Sequence, residues 1–252
     1  MKIVTYNVNS VRSRLHILEH WITEFQPDMM FMQETRTMDS TFPEEFFSKL
    51  GYRSYYHGEK MHNGVAVAVK DRDVEVTYGF DDGEYATRVQ TLRYGDIVIL
   101  NTYVPQGKEM THPDYETKKK FLKRVREIIE RNLEKRFIWL GDLNVAPEAI
   151  DVTNPEKKKQ HVCFCEEIRE IFAETRRGLT DILRKFHPKE RIYTFYDYRV
   201  KEAVKRGIGW RIDHMLASPE AAERAVSCNS DERVRECERP SDHVPLTGEY
   251  DM

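Results

Sequence analysis

The sequence predicts one α/β domain spanning residues 1–252, a layered sandwich with two sheets inside and helices outside. Short apolar runs of strand length alternate with longer stretches whose apolar residues recur at helical spacing. No Pro-, Gly- or Ser-rich stretch is long enough to separate domains, and no repeat is visible along the chain. With 40% hydrophobic residues there is ample material for a core.

The elements follow in order. Lys2 to Val8 and Asp28 to Gln33 read as buried strands. Between them Val11, Leu15, Leu18, Trp21, Ile22 and Phe25 form a helical stripe behind a cap at Ser10. Gly64 to Val69 and Arg88 to Arg93 are further strands, and Asp96 to Val104 is another that ends in the turn chemistry of Pro105-Gln106-Gly107. Glu116 to Arg136 is the clearest helix, with Phe121, Val125, Ile128, Ile129 and Leu133 on its apolar face. The short buried strand Phe137 to Leu140 stops at Gly141. Glu166 to Arg177 is helical, Arg211 to Leu216 is a strand, and Val244 to Tyr250 is the last one.

Composition narrows the function classes. A net charge of -3, from 40 Lys+Arg against 43 Asp+Glu, gives no global basic field, so any nucleic-acid face must be local. Cys163, Cys165, Cys228 and Cys237 follow no disulfide framework, which suits a reducing compartment. His161-Val162-Cys163-Phe164-Cys165 lacks the spacing of a zinc ribbon. Met1-Lys2-Ile3 runs straight into the first strand, which argues against a signal peptide, and the apolar runs are too short to cross a bilayer. The expectation is a cytoplasmic protein without a membrane partner, monomeric, and nucleoid-associated if the source is a prokaryote.

Five short polar motifs, each beside an apolar run, carry the chemistry. They are Thr5-Tyr6-Asn7-Val8-Asn9, Met32-Gln33-Glu34-Thr35, Gly141-Asp142-Leu143-Asn144, Trp210-Arg211-Ile212-Asp213-His214 and Ser241-Asp242-His243-Val244-Pro245. Such groups at the ends of buried strands are costly unless they converge on one site. Asp, Glu, Asn and His together suit a hard divalent cation and a phosphate ester. In Gly141-Asp142-Leu143-Asn144 an extended backbone turns Asp142 and Asn144 the same way, so one can deprotonate a water while the other donates to a phosphoryl oxygen. Alone, it is also an ordinary Asp-Asn turn. His243 beside carboxylates stabilises charge on phosphorus if it is held protonated, and Asp213 is the candidate to orient it. Glu34, near Asn7, supplies oxygen for Mg²⁺ or Mn²⁺.

With these motifs and Asn101-Thr102-Tyr103-Val104-Pro105-Gln106, Tyr193-Thr194-Phe195-Tyr196-Asp197-Tyr198-Arg199 and Gly209-Trp210, the chain resembles the exonuclease III branch of the endonuclease/exonuclease/phosphatase superfamily, the family of abasic-site DNA endonucleases. The match runs essentially end to end. It implies a four-layer α/β sandwich of the DNase I type, with two central mixed sheets flanked by helices. It also implies hydrolysis of the phosphodiester 5′ to an abasic site in duplex DNA, leaving a 3′-hydroxyl, with 3′→5′ exonuclease and 3′-end processing activity. By this resemblance Glu34 is the principal Mg²⁺ ligand with Asn7 beside it, and Asp242 assists at the metal edge. Asp142 orients and deprotonates the water, or serves the leaving group. Asn144 and His243 hold the phosphoryl oxygens, Asp213 orients His243, and Tyr103 contacts the phosphate or protonates the leaving oxygen. Phe195, Trp210 and Ile212 match the family's apolar pocket for a sugar lacking its base. Gln106 stands where Asn is frequent, Tyr6 where Trp is, and His214 where an aromatic is usual. Of these Gln106 matters, because it lies near the scissile phosphate and bears on the balance of activities.

Between Arg199 and Arg211 five basic residues (Arg199, Lys201, Lys205, Arg206, Arg211) stand against Glu202, a local charge of +4 interleaved with aromatics. This suits a duplex whose damaged nucleotide is flipped out. Lys118-Lys119-Lys120 and Lys157-Lys158-Lys159 read as solvated faces. Two rivals are a superfamily phosphatase or sphingomyelinase-like enzyme, which would lack the segments around Tyr193 and Gly209, and a silent DNA-binding relative, which would have lost one of Glu34, Asp142, Asn144 or His243.

Overall fold

A computed structural model describes residues 1–70 and 73–252. Two six-stranded sheets lie face to face. The first runs in the order β11 (Ala225–Ser230), β12 (Leu246–Tyr250), β1 (Lys2–Asn7), β2 (Met29–Gln33), β4 (His62–Lys70), β3 (Tyr52–Glu59). The second runs β5 (Glu75–Tyr78), β6 (Val89–Tyr94), β7 (Ile97–Tyr103), β8 (Arg136–Asp142), β10 (Asp213–Ala217), β9 (Thr180–Asp181). Each sheet has one central parallel pair, β1–β2 and β7–β8, and is antiparallel on either side. The two halves are therefore built on one plan, which the chain does not betray as a repeat. Helix α1 (Leu15–Phe25) crosses between β1 and β2, and α3 (Pro113–Glu130) between β7 and β8, as parallel pairs require.

Alternation along the strands divides the core into three layers. Ile3, Met29, Phe31, Ile99, Ile138 and Leu140 point between the sheets. Val4, Met30 and Met32 point outward onto Leu18, Trp21 and Ile22 of α1. Leu100, Phe137 and Trp139 point outward onto Phe121, Val125 and Ile129 of α3 and Phe172 of α4 (Glu166–Thr175). Toward the ends of β1, β2 and β7 the inward face turns polar. Gln33 Nε2 donates to Thr5 Oγ1 at 2.9 Å and to Asn101 Oδ1 at 2.7 Å, all three residues fully buried. One residue further on, or two, lie Glu34, Asn7 and Tyr103, and Asp142 of β8 stands opposite Tyr103.

Several boundaries shift from expectation. Ser10 gives no side-chain cap, and a 3₁₀ turn (Val11–Arg14) opens α1 instead. The predicted Glu116–Arg136 helix begins at Pro113, capped by His112, and ends at Glu130. The predicted Arg211–Leu216 strand begins only at Asp213 and runs to Ala217, while Trp210 before it is bridged to Phe195. Strands β3, β5, β9 and β11, and the short helices α2 (Glu44–Lys49), α5 (Ile182–Phe186) and α6 (Pro219–Glu223), were not legible as elements.

Candidate active site

The site lies where the parallel strands end. Asn7 closes β1, Asp142 closes β8, Glu34 follows β2 and Tyr103 closes β7, while Asp213 opens β10 and His243 precedes β12. Equivalent positions of the two half-plans thus face one another across the sandwich. The loops after β1 and β2 are laced together by Ser10 N to Glu34 O (2.8 Å) and Val11 N to Thr35 O (3.1 Å). Asn9, Ser10, Glu34, Arg36 and Asn144 all stand at positive φ, between 43° and 82°. Such backbone is held only where the surroundings over-determine it, and it gathers at working sites. Gly141, at φ 133°, leaves no room for a side chain: a Cβ there would meet Thr102 O at 2.0 Å.

Asn7 Nδ2 donates to Glu34 Oε1 and to Asp142 Oδ2, both at 2.9 Å. Its oxygen accepts from Asn9 N at 3.0 Å, and since a backbone N–H can only donate, the amide orientation is fixed. Asn7 therefore bridges two carboxylates with its NH₂, and its oxygen, with one lone pair taken by Asn9 N, keeps the second for a cation. Arg36 grips the other oxygen of Glu34, with Nε at 2.8 Å and Nη2 beside it. Burial raises the Glu34 pKa, but the Asn7 bond, Arg36 and His243 outweigh it, so the carboxyl stays below its ordinary value and ionised.

Asp142 and Asp213 are partners across the β8–β10 ladder. Like charges so placed repel, and His243 answers both: its Nδ1 lies 2.8 Å from Asp213 Oδ2 and its Nε2 3.8 Å from Asp142 Oδ2. Burial disfavours the imidazolium, but Asp213 and Asp142 prevail and push the His243 pKa up to about 10. The ring is then doubly protonated, with Nδ1–H given to Asp213 and Nε2–H on the side of Asp142. Burial, with Asp213 and Glu34 nearby, pushes Asp142 up to about 7 against the pull of His243. Tyr103 is driven well above the usual phenol range by burial, Glu34 and Asp142, so its hydroxyl keeps its proton. Asn144 N donates to Asp142 Oδ1 at 3.1 Å. Asn144 Nδ2 spends one N–H on Val104 O at 2.9 Å and keeps the second.

These groups open into a cleft of about 360 Å³. Glu34, Tyr103, Gln106, Asp142, Asn144, Asp242 and His243 line it, and so do Phe195, Trp210, Ile212 and Arg199. Phe195, Trp210 and Ile212 pack with Ala146, Val152 and Phe164 as its apolar part. Asn7 and Asp213 stand behind the lining. Arg211, expected to touch DNA, is displaced from the site: it is fully buried and pairs with Asp151 and Asp181, each at 2.7 Å. Trp210 and Ile212 face the cleft, so Arg211 between them points inward. Lys118 is likewise buried, not solvated.

Lys158, His161, Cys163 and Asp197 also line the cleft and were missed as site residues. His161 lies against Trp210, ring centroids 4.6 Å apart, and Lys158 Nζ sits 5.3 Å from the same ring. The sequence drew attention to His161 only as a metal pattern, and nothing local says that its loop folds over Trp210.

Asp142, Asp213 and His243 bring their ligand atoms within 4.8 Å of one another, a cluster able to hold a metal. His243 Nδ1 takes one oxygen of Asp213, and the carboxylates of Glu34, Asp142 and Asp242, which line the same cleft, also offer oxygens that could hold a hard cation. A two-sheet sandwich with this donor set, beside an imidazolium and a spare amide N–H, defines a hydrolase of phosphate esters.

Comparison with known proteins bears this out. The sequence profile of the Endonuclease/Exonuclease/phosphatase family matches residues 4–243. Exodeoxyribonuclease III of Haemophilus influenzae is 33% identical over 99% of this chain and 100% of its own length. The structure of an AP endonuclease from Archaeoglobus fulgidus is 44% identical and superposes with a TM-score of 0.96, covering all of both chains. A 3′ phosphatase from Neisseria, solved bound to a product DNA hairpin, is 31% identical with a TM-score of 0.92, again over all of both chains. The chain belongs to the endonuclease/exonuclease/phosphatase family, in its branch of exodeoxyribonucleases III and AP endonucleases, and has the DNase I-like fold.

Proposed function

We propose that the protein is a Mg²⁺-dependent DNA repair nuclease that hydrolyses the phosphodiester 5′ to an abasic site in duplex DNA and leaves a 3′-hydroxyl, with 3′→5′ exonuclease and 3′-end processing at the same centre. The observation that supports this most is the junction, in one cleft, of the carboxylate–imidazolium cluster with the apolar slot of Phe195, Trp210 and Ile212. A phosphate at the cluster places the adjoining sugar at the slot, which has room for a flipped sugar without its base. The names of the relatives point to the same substrate class.

Glu34 holds the cation, with Asp242 at its edge and Arg36 and Asn7 fixing the carboxylate. Bound there, Mg²⁺ supplies positive charge to the phosphoryl oxygens (Mn²⁺ fits the same donors). Asp142 takes the proton of the attacking water, a task suited to a carboxyl whose pKa is raised toward neutrality. His243 Nε2–H and the free amide N–H of Asn144 receive the phosphoryl oxygens as charge grows on them. Asp213 keeps the imidazolium oriented, and the protonated Tyr103 donates to the phosphate. Lys158 and Arg199 at the rim meet neighbouring phosphates of the duplex, while Gln106 tunes the balance of activities.

Few protein ligands hold the cation, so it should exchange freely. In EDTA the protein should stay folded by circular dichroism and stop cutting a duplex bearing one tetrahydrofuran abasic analogue, then recover on addition of Mg²⁺. Cleavage that persists with metal shown absent by elemental analysis contradicts the role of Glu34.

A further inference from the structure

Lys118 lies on the inward face of α3, fully buried beneath the wall of the cleft. Its Nζ donates to three backbone carbonyls: Gln106 O at 3.1 Å, Asn144 O at 2.7 Å and Val162 O at 2.7 Å. The three carbonyls match the three N–H groups of an ammonium, where a neutral amine would have two, and Cys163 Sγ stands further off at 3.9 Å. The carbonyls belong to three separate loops: the one after β7, the one after β8, and the one that enters α4. Each loop puts a side chain into the cleft, Gln106, Asn144 and the His161–Cys163 pair. Asn144 is in the left-handed region at φ 51°, so its peptide has no helix or ladder to hold it, and the bond to Lys118 is what fixes its carbonyl.

We propose that Lys118 is a positioning residue for phosphodiester hydrolysis, acting through Asn144: by pinning three loops on one ammonium it aims the free amide N–H of Asn144 at the phosphoryl oxygen. This rests on the reading of the site as a phosphodiesterase. Lys118 touches neither substrate nor cation, and its contribution is geometry delivered through backbone. The demand is strict, because small displacements of a group that meets the transition state are expensive in rate.

The test is Lys118→Met, one atom shorter and apolar, which suits the buried position but removes all three donors. Amide exchange read by mass spectrometry should speed up in peptides covering 104–108, 142–146 and 160–164, with the central strands unchanged. On the tetrahydrofuran duplex with Mg²⁺, kcat should fall roughly 10- to 10²-fold with little change in KM. Asn144→Ala should remove most of that effect, since a residue that acts through Asn144 has nothing left to position. Should Lys118→Met fail to melt cooperatively, Lys118→Arg disturbs the same bonds while keeping a charge and carries the same readings. Unchanged exchange in the three loops overturns the proposal, as does a loss of kcat undiminished in the Asn144→Ala background. If the wild-type protein does not cut the duplex, the nuclease reading falls, and the exchange measurement still decides whether Lys118 holds the loops.

Discussion

At the scale of the residue, the site works by setting charges against one another in a place from which water is mostly removed. Asp142 is 2% exposed, and burial, by denying its carboxylate solvation, raises its pKa to about 7. Asp142→Asn keeps the shape and the bond to Asn7 but removes the base, so turnover should drop roughly 10²–10⁴-fold while affinity for abasic duplex changes far less. In the wild type, activity should rise with pH on a limb at or below about 7, since a bound cation can only lower the pKa of Asp142, and should fall as His243 loses its proton near 10. A variant that loses binding and turnover equally, in a full pH series of kcat and KM, makes Asp142 a docking residue instead. Glu34, Asp142, Asn144, Asp213 and His243 could be picked out because each stands at the edge of an apolar run. Arg211 and Lys118 could not, because a charged residue is ordinarily exposed, and what buries these two are partners distant in the chain: Asp151 and Asp181 for one, Gln106, Asn144 and Val162 for the other.

At the scale of the element, the central strands were visible and the edges were not. The four strands missed, β3, β5, β9 and β11, are the four outer strands of the two sheets. An edge strand has one neighbour and one wetted side, so it need not be apolar: Glu75–Tyr78 alternates exposed and half-buried positions, Ala225–Ser230 mixes exposed and buried ones, and Thr180–Asp181 is two residues long. The segment of Trp210 is short for the same reason that it is useful. It is bridged to Phe195 and Val152 outside the main ladders, which leaves the Trp210 ring free to wall the slot. Trp210→Ala should enlarge that slot and leave the cluster around Glu34 in place. The ratio of cleavage efficiencies on abasic and undamaged duplexes, at one fixed salt concentration because phosphate contacts are salt-sensitive, should therefore fall. An unchanged ratio in a stably folded variant assigns Trp210 to packing alone.

At the scale of the whole molecule, two half-sandwiches of one plan meet so that strand ends from both converge, and the α/β layering was legible although the matching of the halves was not. Each half contributes members to the cluster, so no fragment of one sheet can make it. A second buried network lies behind it: Arg211 with Asp151, Asp181 and Arg184, and His214, whose Nε2–H donates to Val145 O at 2.8 Å while Nδ1 accepts from Arg211. Burial and the Arg211 charge pull the His214 pKa down to about 3. The unfolded chain therefore takes up a proton there below about 6.5 that the folded protein refuses, and stability is lost as pH falls. Asp151 and Asp181, both held below the usual carboxylate range against the cost of burial, add a loss of the same sign at lower pH. His214→Phe should flatten the pH dependence of the unfolding free energy between pH 6.5 and 4, by up to about 1.4 kcal/mol per pH unit. An unaltered slope contradicts the neutral, buried assignment.

The central claim is that this cleft hydrolyses DNA at a site without a base. Incision of one labelled duplex carrying a single tetrahydrofuran, beside the same duplex undamaged, with Mg²⁺ present, tests it most directly. The account predicts one cut immediately 5′ to the lesion, a 3′-hydroxyl on the upstream product, and little internal cutting of the undamaged strand. Cutting of both duplexes alike, or none of either with a phosphomonoester hydrolysed instead, would contradict it.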